Sequence, residues 1–186
     1  MAKRQLPSPE VLRQLLRYEP ETGKLFWLPR GVSWFRDGWN TAQSSCRTWN
    51  TKNAGREAFT TVSRGYHVGR VMDVLLRAHR VAWAVHYGYW PSMNIDHING
   101  DRSDNRIFNL RDVDQSVNLK NTRRSSRNTS GVTGVFWNKE CNKWQANIKS
   151  EQKITYLGLF DQLCDAKTAR KQAEARMGFH QNHGRD

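Results

Sequence analysis

The chain has 186 residues, enough for one ordinary domain or two small ones. Thirty Lys and Arg against 17 Asp and Glu give a formal charge of +13 and a pI near 10.2, the balance of proteins that meet polyanions. There is no apolar run of about 18 residues and no signal-peptide pattern, which argues against a membrane or secreted protein. The cysteines Cys46, Cys141 and Cys164 are widely spaced and form no C-x-x-C pair for zinc or redox work.

Residues 8–18 predict a short amphipathic helix, with Val11, Leu12, Leu15 and Leu16 at helical spacing, Ser8 as cap and Pro9 in the first turn. A turn at Thr22-Gly23 then leads into one strand ending near Pro29. From residue 30 to 64 Trp, Gly, Ser, Asn and Arg mix without a period of 2 or 3.6, so irregular strands and loops are expected. Gly65 to Leu76 reads as a hairpin, and Arg80 to Tyr87 as a helix with Val81, Ala84 and Val85 inward and Gly88 as its stop.

The stretch from Ile95 to Arg111, IDHINGDRSDNRIFNLR, is densely polar, with a tight turn at Asn99-Gly100 between apolar flanks. Downstream, SVNLKN begins a helix carrying Asn118. A strand, a polar loop, a second strand and a helix would bring Asp96, His97 and Asn118 together. Their chemistry suits phosphodiester hydrolysis. A carboxylate and an amide oxygen are hard ligands for Mg²⁺, and His97, on the opposite side of a strand from Asp96, can take a proton from water. For Asp101, Asp104, Asn105 and Arg106 the competing reading is loop hydrogen bonding. His79 reads as a packing residue or one that supports the site from behind, and His67 and His86 as partly buried or surface histidines.

DHINGDRSDNRIFNLR followed by QSVNLKN resembles the HNH endonucleases, in the phage and intron-encoded homing branch whose third motif residue is Asn. The resemblance spans residues 66–121. It implies a ββα-metal core, with Asp96 and Asn118 on the metal, His97 as general base and Asn109 as the structural residue tying the loop between the strands. It further implies a divalent ion, Mg²⁺ or Mn²⁺, and double-stranded DNA as substrate; Arg106 and Arg111 are the alternative candidates for a phosphate contact.

The segment 121–131, NTRRSSRNTSG, has no acid and no large apolar side chain and reads as a basic linker, with Lys120, Arg123, Arg124 and Arg127 tracking phosphates. After it, TGVFWNK, KWQANIKS and KITYLGLF predict three strands. Asp161 would cap a helix with Ala166, Ala169, Ala173 and Met177 on one face. This part resembles the AP2 DNA-binding domain through Gly134-Val135, Lys143-Trp144, Ala146, Ile148, Leu157-Gly158, Phe160 and the Ala-rich helix. That resemblance implies a sheet reading the major groove through Asn138, Lys143, Gln145, Asn147, Lys149 and Tyr156.

The expected fold class is therefore α+β: an N-terminal extension of mixed helix and short strands (1–64), a nuclease core (65–121), a linker (122–131) and an AP2-like domain (132–186). The expected function is a monomeric, metal-dependent DNA endonuclease of homing type, acting without a membrane in the cytoplasm of a bacterial host. The rivals are a DNA-binding or regulatory protein with an inactive HNH core, and an HNH nuclease of restriction or packaging function.

Overall fold

In the computed structural model, which describes residues 5–185, the N-terminal helix is capped as its sequence requires. Helix α1 (Pro9–Leu15) begins after Ser8, whose hydroxyl accepts from the Val11 N–H, and has Pro9 at its first position. It is shorter than its apolar spacing suggests. Leu16 already pairs with Trp27, and the hairpin β1 (Leu16–Glu19) and β2 (Lys24–Trp27) follows directly. Burial of Leu16 at 1% exposure, in a strand, outweighs the extra helical turn.

The chain divides into two compact units, Met1–Asp112 and Val113–Asp186. In the first, β3 (Glu57–Ala58) completes a sheet of order β1-β2-β3. β4 (Thr61–Ser63), β5 (Tyr66–Val71) and β6 (Val74–Arg77) form an antiparallel meander. The tight turns at Arg64-Gly65 and Met72-Asp73 both have positive φ at their two central residues, the hairpin geometry whose twist matches the strands. Helix α3 (Ala78–Tyr87) ends at Gly88 with φ 83°, a left-handed cap that a side chain would strain. Buried side chains surround α3, and Leu12, Leu15, Leu25, Phe59, Val71 and Val81 belong to one core. Residues before 65 therefore share a core with the segment after it; they are not a separate extension.

The segment 30–64 corrects the expectation of irregular structure. It holds α2 (Ala42–Asn53), 12 residues capped by the Thr41 hydroxyl. Its apolar signal is too weak to read, since Cys46 is the helix's one buried residue and attachment comes through polar and aromatic contacts.

In the second unit, α4 (Gln115–Leu119) is capped by Asp114, whose carboxylate accepts from Val117 N–H at 2.9 Å. The strands β9 (Val135–Asn138), β10 (Lys143–Ser150) and β11 (Lys153–Phe160) form an antiparallel sheet of order β11-β10-β9. Val135, Ala146 and Ala166 form its core with α5 (Leu163–Arg176). Helix α5 starts after Gln162 without a side-chain cap. Asp161, expected to be that cap, pairs with Lys143 at 3.1 Å instead.

Residues 121–131 are not a loose tether. Asn121 and Ser130 are each 3% exposed. Arg124 N–H donates to Arg185 O, Gly184 N–H to Thr122 O, and the Arg185 guanidinium to Asn121. A linker reading rested on missing apolar residues, but this segment is held by backbone and amide hydrogen bonds, which leave no hydrophobic pattern.

Candidate active site

Strand β7 (Asn94–His97) and strand β8 (Leu110–Val113) form a two-stranded sheet. The loop leading into β7 is fastened twice. Arg80 on α3 donates to the carbonyls of Pro91 and Met93, and the Asp112 carboxylate accepts from Ser92 and Met93. Because β7 is extended, its successive side chains face opposite ways. Asp96 and His97 thus enter different surroundings although both are nearly buried, at 7% and 4% exposure.

Asp96 meets Arg111 of β8. The guanidinium places Nε at 2.9 Å and Nη2 at 2.7 Å from the same oxygen, Oδ2. A charge-assisted pair at this depth fixes the carboxylate's orientation. His97 packs among rings: His79 of α3 lies edge-on with centroids 5.1 Å apart, and Tyr66 of β5 is 6.0 Å away. Its Nε2 is 3.4 Å from Asn105 Oδ1. Burial lowers the His97 pKa below its usual value, against opposing pulls from Asn105, Asp96, Asp101 and Asp104, so the imidazole is neutral near pH 7. His79 is lowered further, to about 3, chiefly by burial, and its Nδ1 has no partner.

The loop between β7 and β8 is organised by Asn109, itself 4% exposed. Its side-chain oxygen accepts from Asn99 N–H and its amide donates to Asp104 O, both at 2.9 Å, while its backbone carbonyl accepts from Ile98 N–H. Asp104 binds Arg106 through both oxygens and accepts from the Asn99 side chain, and Asp101 folds onto Ser103. These bonds hold both carboxyls below the usual range, with Arg106 the main cause for Asp104 and Ser103 for Asp101.

The hairpin β1–β2 braces this loop from outside. Tyr18 donates to Asn105 O at 2.7 Å, and a Cβ at Gly23 would sit 2.5 Å from Arg106 N. Arg77 and Arg102 lie over Tyr66, with guanidinium carbons 4.7 and 5.0 Å from the ring centroid. Tyr18, Tyr66, Arg77 and Arg102 carry no local sequence signal for the site. Only the sequence distance hides them, since each comes from a different element.

Asn118 lies on α4 in the second unit, where its N–H donates to Asp114 O. Arg106 and Arg111, expected on phosphate, are both paired with carboxylates. Lys120 donates to Met177 O and lies over the Phe179 ring. Arg124 donates to Asn128 O, whereas Arg123 and Arg127 are exposed. On the sheet, cross-strand register puts Asn138, Lys143, Gln145, Asn147, Lys149 and Tyr156 on one face. Asn138, Gln145 and Asn147 join there in a ladder of side-chain amides, at 2.8 and 3.2 Å.

Among the described residues no group of three or more His, Cys, Asp and Glu side chains forms a metal cage. Ions held with few protein ligands do not need one, and a buried carboxylate oriented by an arginine is a donor of the kind Mg²⁺ takes.

Residues 76–120 match the family model described as HNH endonuclease, and this segment carries an HNH endonuclease domain. The chain is also similar to Protein 3.8 of Escherichia phage T7, at 33% identity over 78 residues, which cover 41% of this chain and 64% of that relative. No solved structure matches the chain. No helix among the described residues is long and apolar enough to cross a membrane.

Proposed function

We propose that the protein is a metal-dependent DNA endonuclease of the phage homing type, in which His97 is the general base and Asp96 and Asn118 hold a divalent ion, Mg²⁺ or Mn²⁺. The observation that carries the reading is the split between Asp96 and His97. One strand presents a carboxylate fixed by Arg111 and, on its other side, an uncharged imidazole held by Asn105.

The His97 chemistry follows from its surroundings. Buried beside Asn105 Oδ1, 3.4 Å from its Nε2, the uncharged His97 imidazole is the group that takes a proton from an attacking water. Asp96, oriented by Arg111, and Asn118 would be the residues that hold the ion. When bound, the ion supplies charge stabilisation at the leaving oxygen. Arg77 and Arg102, exposed beside Tyr66, attract the DNA phosphate toward His97.

The three-stranded sheet supports a second role. An AP2-like face of amides, lysines and a tyrosine offers the donor and acceptor types that read base edges, while the exposed Arg123 and Arg127 meet phosphate. The active protein is a monomer and works in the host cytoplasm.

The test is conversion of supercoiled plasmid with and without Mg²⁺. His97→Ala should lower the rate about 10²- to 10⁴-fold with DNA affinity unchanged. Wild-type cleavage by that variant would remove His97 from the chemistry.

A further inference from the structure

We infer that α2 and the loop before it form a second duplex-DNA contact, in which the helix lays its exposed face against the phosphates and Trp39 packs against the sugars at the groove edge. The inference rests on DNA being the substrate, as proposed above.

Helix α2 has two unlike faces. Its inner face is tied to Arg30: the Arg30 carbonyl accepts from Cys46 Sγ at 3.2 Å and from Asn50 Nδ2 at 2.9 Å, and Asn50 Oδ1 accepts from Arg30 N–H. The Arg30 guanidinium lies 3.8 Å over Trp49, which meets Trp27 edge-on at 5.7 Å. This clasp fixes the helix on the first unit. Its outer face carries Gln43, Ser44, Arg47, Thr48, Thr51 and Lys52, all exposed and spaced so that they share one side.

That outer face holds two cations, four neutral polar groups and no acid. An ordinary solvated helix mixes charges of both signs, because opposite charges three and four apart stabilise it. From residue 30 to 56 the one acid is Asp37, and it is occupied in accepting from the Ala42 N–H at 2.7 Å. Arg36, Arg47, Lys52 and Arg56 are exposed and have no ion-pair partner among the described residues. Such a surface is complementary to a polyanion.

Trp39 adds the second observation. It is fully exposed, at the tip of the loop that ends in the Thr41 cap. A single exposed ring is ordinary. Here, however, Trp39 lies in the loop that leads into a helix whose exposed face carries cations and no acid, and its ring offers apolar contact area in addition to the phosphate contacts of the helix.

The experiment measures binding of a labelled random-sequence duplex by fluorescence anisotropy in EDTA, over a series of salt concentrations, with plasmid cleavage by wild type run alongside in Mg²⁺. Arg47→Ala with Lys52→Ala should lower the slope of log affinity against log salt by about 2, one for each phosphate that is no longer neutralised. Trp39→Ala should weaken binding about 5-fold or more with the slope unchanged. Thr48→Glu, which puts an acid at the centre of the face without disturbing the clasp, should weaken binding as well. Wild-type affinity and slope in all three variants, from a protein that binds and cleaves, would overturn this inference alone. A wild-type protein that binds no duplex would overturn both it and the endonuclease reading.

Discussion

At the scale of single residues, the site is a set of polar groups buried and then oriented. Arg111 is the clearest case, because two of its donors converge on one oxygen of Asp96. Losing Arg111 takes two charge-assisted donors from the buried Asp96 carboxylate, so Arg111→Ala should cost about 2 kcal/mol of stability and raise the Mg²⁺ concentration needed for half-maximal cleavage. Urea unfolding and a Mg²⁺ titration of cleavage measure the two effects separately. His79 gives a pH prediction. Burial lowers its pKa in the folded state to about 3, from 6.5, so between these values the unfolded chain holds a proton that the folded chain lacks. Its contribution to stability is therefore complete above pH 6.5 and is lost as pH falls toward 3, at up to about 1.4 kcal/mol per pH unit. His79→Phe keeps a flat ring, loses no hydrogen bond at the unpartnered Nδ1, and should reduce the pH dependence of the urea midpoint below 6.5 by about one proton. An unchanged pH dependence would show that His79 is already charged in the folded protein.

At the scale of elements, the loop between β7 and β8 is shaped by a hairpin far from it in sequence. Gly23 brings the β1–β2 turn so close to Arg106 N that a methyl group has no room, and it holds a φ of 74°. Gly23→Ala should destabilise the first unit by at least about 1 kcal/mol, through both the clash and the backbone strain. Tyr18→Phe removes the single bond to Asn105 O and should cost about 1 kcal/mol while lowering the cleavage rate through a less constrained His97. A rate equal to wild type would mean that Asn105 is held well enough by the loop alone. These braces mark where sequence reading stopped. The β5–β6 hairpin and the end of α3 at Gly88 were legible because local patterns encode them: alternation along the strands and a glycine at the cap. The pairing of Arg111 with Asp96, and the approach of Tyr18 and Gly23 to Asn105, depend on elements that meet only in three dimensions. Helix α2 was missed for a different reason, since its contacts are made by Cys46, Trp49 and Asn50, which do not register as an apolar stripe.

At the scale of the whole molecule, the two units divide at Asp112 and Val113, inside β8 and within the segment that carries the HNH endonuclease domain. The motif's Asn118 consequently belongs with the C-terminal sheet and helix as a compact unit. The C-terminal tail fastens the stretch just after α4: His180 N–H donates to Lys120 O, Gly184 N–H to Thr122 O, and Lys120 Nζ to Met177 O. A chain ending at Arg176 should lose amide protection at residues 120–124 in hydrogen exchange, whereas wild-type protection there would make the tail dispensable. We propose that DNA is cut by His97, an uncharged base beside a metal-holding Asp96. Single-turnover cleavage of plasmid should therefore require a divalent ion and stop with EDTA, and His97→Ala should bind DNA as wild type does but cut it about 10²- to 10⁴-fold more slowly. Cleavage indifferent to EDTA, or undiminished in His97→Ala, would contradict the account.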